Sequence, residues 1–513
     1  MTQSAALKPA PGRDRGPLAR ATTVTFLLTI AGSASGFVRD LLVAGVFGAT
    51  SSTDAFMVAW TIPETAAPLL IEGALSFLLI PYFSRAIEDG TPLRRAVWAV
   101  LPKALVALVL MTLATAAGAP LLAWALAPGI SDHALAVQCM QVTALTVLGF
   151  GLAGVCSAAL RTRRIFGPPA AIYLAYNAAI IVAILVGRGS LGIMSVAAGV
   201  AVGGMLMALI QVPSVIRHIG PPVWRGSVTP ISWMVFAPIA AFTLIRQAQV
   251  FVERFVASSL PEGSISHLNY AQKIAQVPMV ASLIVATVSF PALASSIAAG
   301  DKARAAKRVT DDITVAAALV LVASAFLNAH AEDVVGLLLQ HGAFSAQDTA
   351  ATAWAMRLYS LGLLGQAAVG TLCRVYFCAP RPAWYPAAAM GAGLLLNGVA
   401  APLLVGPLGV GGVALANAMG ITLSAVLLLT GLGGRVLELP APALLLSMQR
   451  LVAAAAVATA VAVSVRPLIS DLPLPALVPS GAAITVAAFA IATFATGSHR
   501  DLSSVLKRRE GGA

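Results

Sequence analysis

The sequence predicts an all-α polytopic membrane protein with fourteen transmembrane helices, arranged as two parallel six-helix repeats plus a C-terminal helix pair. Three observations carry this. The chain is 59% hydrophobic and only 10% charged, where a soluble domain carries about 25% charged residues. Apolar runs of about 20 residues, each able to cross about 30 Å of hydrocarbon, recur along all 513 residues. Motifs of the first half also return in the second half in the same order, the mark of an internal repeat.

Residues 1–20 are polar, lack the apolar core of a cleaved signal peptide, and read as a cytoplasmic tail. A first lobe, 21–220, holds spans near 21–46, 53–84, 95–126, 134–160, 168–187 and 191–215. A second lobe, 221–437, holds spans near 230–258, 265–297, 309–329, 350–377, 383–405 and 410–432. The Pro-rich stretch from Leu439 to Pro442 marks the boundary before a pair near 448–466 and 479–497, within 438–498, and 499–513 form a second tail.

The even span number places both termini on one side, and Lys and Arg choose that side. With the N-terminus inside, basic clusters such as Arg94–Arg95, Arg161–Arg164, Lys302–Arg308 and Lys507–Arg509 are all cytoplasmic. The outer loops keep Arg188 and Arg466. The net charge of +12 therefore requires no nucleic-acid partner; it reflects topology, with affinity for anionic lipid head groups. Cys139, Cys156, Cys373 and Cys378 lie in apolar segments or at their ends, form no CxxC, and read as small packing residues.

Asp54 precedes Pro63 in DAFMVAWTIP as Asn269 precedes Pro278 in NYAQKIAQVP. Arg161 and Pro169 match Arg374 and Pro382, and SLGIMSVA at 190–197 matches PLGVGGVA at 407–414. An even number of spans separates the copies, so they run in the same direction. In transporters built this way the substrate site lies between the halves.

Charge within the spans concentrates in the first two helices of each lobe: Arg39, Asp40, Asp54, Glu64 and Glu72, then Arg246, Glu253, Arg254 and Lys273. A charge at mid-membrane costs at least about 2.5 kcal/mol on insertion scales, and such residues face a partner or a polar cavity. Arg246, Gln249 and Glu253 share one helix face. Arg39 and Asp40 read equally as a local pair or as positioned at the interface. Pro63, Pro68, Pro81, Pro278 and Pro291 permit kinks, either as hinges or as static shaping. The sequence has no Walker A motif and no HExxH, so it reads as a non-enzyme that uses no cofactor or metal.

GFVRD at 36–40, FGA at 47–49, DAF at 54–56, EGALS at 72–76, LPEGSISHLNYAQKIAQVP at 260–278 and HGAFS at 341–345 resemble the MurJ/MviN family of bacterial lipid II flippases, in the multidrug/oligosaccharidyl-lipid/polysaccharide exporter superfamily. The resemblance implies two lobes around a cationic central cavity and a groove toward the last two spans for a polyprenyl tail. It implies an undecaprenyl-pyrophosphate-linked glycan substrate, with lipid II leading, moved from the inner to the outer leaflet. Another surface glycan, or a non-transporting scaffold role in cell-wall assembly, are the alternatives. The implied partners are that lipid, the bilayer, and cell-wall or polysaccharide synthesis proteins. Arg39 and Asp54 match family residues. Ser33, Ala67 and Pro68 stand where the family has arginines, and Lys273 and Gln276 replace an arginine and an acid. The expected cavity set is therefore Arg39, Asp54, Arg246, Glu253, Arg254 and Lys273, with Ser33, Asp40, Glu72, Gln249 and Gln276 secondary. In this set Arg246 and Arg254 compensate for the missing arginines.

Overall fold

The computed structural model describes residues 15–72, 74–221, 233–282, 289, 293, 295–297, 299–377 and 384–499. The secondary structure of these residues is helical, without strands. The first half contains α1 (Arg15–Phe47), α2 (Ser51–Ala59), α3 (Thr61–Ala67), α4 (Ala74–Glu88), α5 (Leu93–Ala117), α6 (Ala119–Leu126), α7 (His133–Thr143), α8 (Leu145–Thr162), α9 (Gly167–Gly187), α10 (Met194–Leu209) and α11 (Val212–His218). The second half contains α12 (Trp233–Ala257), α13 (Ser264–Ala275), α14 (Lys302–Ala329), α15 (Ala331–Leu339), α16 (Ala346–Ser360), α17 (Leu363–Phe377), α18 (Tyr385–Leu408) and α19 (Val410–Leu432). Helices α20 (Ala441–Ile469) and α21 (Leu474–Ala495) follow.

Among the described residues, ten helices are long and apolar enough to cross a membrane. The other four predicted spans are the polar or interrupted ones. The 53–84 span is α2, α3, a π-helical turn over Pro68–Glu72, and α4. Pro68 has no amide hydrogen to continue the ladder, and Gly154 of α8 packs against the carbonyl of Leu70 in that turn. Helix α12 is continuous but carries Arg246, Glu253 and Arg254. The 265–297 span begins as α13, and much of the rest, including Pro291, lies outside the described residues. The 350–377 span breaks between α16 and α17.

Polar side chains fix several starts. Asp132 accepts from the Leu135 amide at α7 and Asp301 from the Arg304 amide at α14. Ser345 and Asp348 form a reciprocal capping box on α16, which satisfies two otherwise orphaned donors. Helices α8, α9 and α10 pack on one another with α1 against α9, while α12, α16, α17 and α18 surround α19, and α20 with α21 packs on α14. The two halves meet where α2, α3, α4 and α6 touch α12 and α13, and where α1 touches α15. Cys139 and Cys373 are buried and free, Cys156 is half-buried and free, and Cys378 lies outside the described residues.

Candidate functional site

At one end of the bundle the halves are in backbone contact. The Ala343 amide donates to the Gly45 carbonyl at 2.8 Å, and the Gly129 amide to Ser258 Oγ at 3.2 Å. Asp54, on α2, reaches the start of α13. Its Oδ2 accepts from the Gly263 amide at 2.7 Å, and its Oδ1 accepts from the Ser266 amide at 2.7 Å and from Ser266 Oγ at 2.6 Å. These amides would otherwise be unpaired helix-end donors, and the positive end of the helix dipole favours a carboxylate there. His267 of α13 adds a contact to Thr352 of α16 at 3.0 Å. Asp54 is buried in this seal and does not line the central cavity.

That cavity has two halves that share Glu64 and Lys273 in their walls. The first, about 280 Å³, is lined by Ser33, Gly36, Arg39, Trp60, Phe150 and Tyr176 among others. Arg39 is fixed on three sides. Its Nε and Nη2 donate to Asp40 Oδ1 at 3.0 and 2.7 Å, and its Nη1 donates to Asn177 Oδ1 at 2.9 Å. Its guanidinium carbon lies 4.5 Å from the centre of the Trp60 ring, a cation–π distance. Asn177 is itself oriented by donating to the Gly32 carbonyl at 3.1 Å and to Ser35 Oγ at 3.2 Å. Arg39 and Asp40 are thus a local pair, and Arg39 is also part of the cavity wall.

The second half, about 150 Å³, is lined by Arg246, Gln247, Gln249, Gln272, Gln276, Gln366 and Asn417 with apolar neighbours. Arg246 is exposed to the cavity. Between the halves, Glu64 Oε2 lies 2.6 Å from Arg254 Nη2 and Oε1 lies 3.7 Å from Lys273 Nζ. Arg254 also donates to Thr61 Oγ1, and Gln247 Nε2 donates to the Glu64 carbonyl at 2.7 Å. Glu253 is buried two turns along α12 from Arg246, where Tyr359 Oη donates to it at 2.7 Å and Asn417 Nδ2 also donates.

Of the sequence-predicted set, Arg39, Arg246 and Lys273 line the cavity, with Ser33, Gln249 and Gln276. Asp54, Glu253 and Arg254 are instead held in buried contacts between helices. Asp40 acts on Arg39, and the Glu72 side chain lies outside the described residues. Arg254 is not in the wall with Arg246; it is buried against Thr61 and Glu64 and, with Glu253, lines only a small void of about 10 Å³ next to Gln272. The expected cavity set did not include Glu64, Trp60, Asn177, Gln272 or Gln366, all of which line the cavity. A lone asparagine inside the apolar 168–187 run was a readable signal for Asn177; nothing in the sequence singled out Trp60.

The family model for the lipid II flippase MurJ matches residues 43–473. The chain belongs to the MurJ family. The MurJ family model covers most of the chain, and curated relatives extend the likeness. A lipid II flippase MurJ from Burkholderia cenocepacia is 26% identical over 453 residues, 84% of this chain and 88% of the relative. A probable lipid II flippase MurJ from Rhizobium meliloti is 31% identical over 350 residues, 64% of each. Among solved structures, a lipid II flippase MurJ in an inward closed conformation aligns with TM-score 0.76 at 21% identity, covering 94% of this chain and 99% of that one. A multidrug resistance MATE transporter of the MOP superfamily, inward-facing, aligns at TM-score 0.65 and 13% identity over 79% of this chain and 95% of its own. These two structural likenesses establish the fold. MurJ membership makes the chain a multi-pass membrane transporter and not an enzyme.

Proposed function

We propose that this chain moves lipid II, an undecaprenyl-pyrophosphate-linked disaccharide-pentapeptide, from the inner to the outer leaflet by alternating access. The observation that carries the reading is the cavity at the meeting of the two halves, where Arg39, Arg246 and Lys273 face the interior. A pyrophosphate demands cationic donors, and guanidinium groups meet it with paired hydrogen bonds. The curated relatives are named for lipid II, which weighs for that substrate over another lipid-linked glycan or a scaffold role.

In this proposal residues 21–220 and 221–437 are two lobes that rock about the cavity, with 438–498 an appended pair and both termini cytoplasmic. The Lys and Arg distribution then makes the Asp54–Gly263 seal the outer one. Arg39, Arg246 and Lys273 contact the head group. Asp54, Glu64, Glu253 and Arg254 position the helices. Ser33 in place of a family arginine leaves the first half of the cavity less cationic.

The test is rescue of cells depleted of their own lipid II flippase. Growth with wild-type chain and none with Arg39→Ala/Arg246→Ala supports the reading. Absence of rescue by wild-type protein that reaches the membrane rejects lipid II.

A further inference from the structure

The two halves of the cavity differ in chemistry. The first is aromatic and cationic, with Trp60, Phe150, Tyr176 and Arg39 in its wall. The second also carries charge, from Arg246, Lys273 and Glu64, but most of its polar wall is carboxamide: Gln247 and Gln249 of α12, Gln272 of α13, Gln276 just past its end, Gln366 of α17 and Asn417 of α19. Gln272 and Gln276 are one helical turn apart and so point the same way. Gln249 is 9% exposed, and its Nε2 has no hydrogen-bond partner among the described residues. A buried donor left unpaired is costly, and this one borders a cavity that a ligand could fill.

A carboxamide presents an acceptor and two donors on one rigid, uncharged plane. A pyrophosphate offers acceptors only, so half of each carboxamide is wasted or repelled against it. A sugar hydroxyl is donor and acceptor at once, and an acetamido group is a carboxamide itself. Both match a wall of glutamines in both directions.

We infer that the carboxamides of the second half of the cavity, Gln249, Gln272, Gln276 and Gln366, form the subsite for the glycan of the lipid-linked substrate, beside the pyrophosphate held by Arg39, Arg246 and Lys273. This inference rests on the proposed flippase function. It adds that the protein reads sugar hydroxyl and acetamido groups before the lipid crosses.

The experiment uses the full chain in lipid nanodiscs and three probes. They are bare undecaprenyl pyrophosphate, the same lipid bearing the N-acetylglucosamine–N-acetylmuramic acid disaccharide without peptide, and complete lipid II. Wild-type protein is expected to bind the disaccharide lipid at least about tenfold tighter than the bare lipid, as one or two additional hydrogen bonds provide. Gln272→Leu/Gln276→Leu, and separately Gln366→Leu, should lose that increment and keep wild-type affinity for bare undecaprenyl pyrophosphate. Retained affinity also reports that each variant is folded. Equal binding of the first two probes by wild type overturns the glycan subsite. So does an equal loss for both probes in the variants, or an increment that appears only when the pentapeptide is attached. Failure of wild type to bind any of the three overturns the flippase reading and the subsite with it.

Discussion

Buried Arg254 and half-buried Glu64, far apart in sequence, form an ion pair with Nη2 and Oε2 2.6 Å apart. The second oxygen of the same carboxylate lies 3.7 Å from Lys273. One side chain from α3 therefore ties both α12 and α13 across the meeting of the two halves. It does so at the point where the two halves of the cavity join.

Removing Glu64 leaves the buried Arg254 charge without its carboxylate, whereas removing Arg254 leaves Glu64 with Lys273, and removing both strands no charge at Arg254. Glu64→Gln and Arg254→Gln should each lower the thermal unfolding temperature of the purified protein. The double variant should be more stable than the sum of the single losses allows. Additive losses in this double-mutant cycle would show that the pair does not couple the helices.

Arg246 and Arg39 should separate stability from transport. Arg246 is exposed in the cavity, while Arg39 is held by Asp40, Asn177 and Trp60. Arg246→Ala is expected to keep wild-type thermal stability and lose rescue of flippase-depleted cells. Arg39→Ala should lose both. A stable, fully active Arg246→Ala protein would remove this residue from the site.

Asp54 caps α13 from the other half of the chain. Loss of a helix cap costs about 0.5–2 kcal/mol, enough to shift a balance between closed and open forms. Asp54→Ala should therefore raise the reactivity of a cysteine placed at buried Thr53 toward a membrane-impermeant thiol reagent added outside. Unchanged labelling would mean that the cap does not hold this end shut.

Gly342 should tolerate no side chain. Its φ of +64° is in the left-handed region, and an added Cβ would lie 2.1 Å from the Gly45 carbonyl oxygen, a clash backbone cannot absorb cheaply. Gly342→Ala is expected to weaken the same seal, read as increased labelling at the Thr53→Cys position and reduced rescue. Wild-type values for both would refute it.

Acid should act at Asp333, at the end of the bundle beside α20. Burial pushes its carboxyl up, but hydrogen bonds from Arg466 at 2.8 Å and from His330 outweigh this and hold it below its ordinary value. A depressed carboxyl stabilises the fold above its ordinary value and loses that effect as pH falls through the depressed one. The stability advantage of wild type over Arg466→Gln should therefore be present at neutral pH and shrink below about pH 4, the usual carboxylate range. An advantage independent of pH would place the contribution of Arg466 in packing.

The sequence by itself determined the membrane class, because about 20 apolar residues have few other uses. It determined the family through ordered motifs such as GFVRD and DAF. It also located the polar helices, since charges within apolar spans are conspicuous: Arg39, Arg246 and Lys273 were legible as cavity residues. What it left undecided was which charges remain available. Asp54, Glu253 and Arg254 look like the others in one dimension, yet each is consumed by a partner distant in the chain: the Gly263 and Ser266 amides, Tyr359 with Asn417, and Glu64. A charge in a membrane must be neutralised or hydrated, and hydropathy cannot say which. Only the tertiary packing decides it: α2 and α3 against α12 and α13, with Tyr359 and Asn417 brought to α12, bury Asp54, Arg254 and Glu253 in contacts between helices, while Arg39, Arg246 and Lys273 line the cavity.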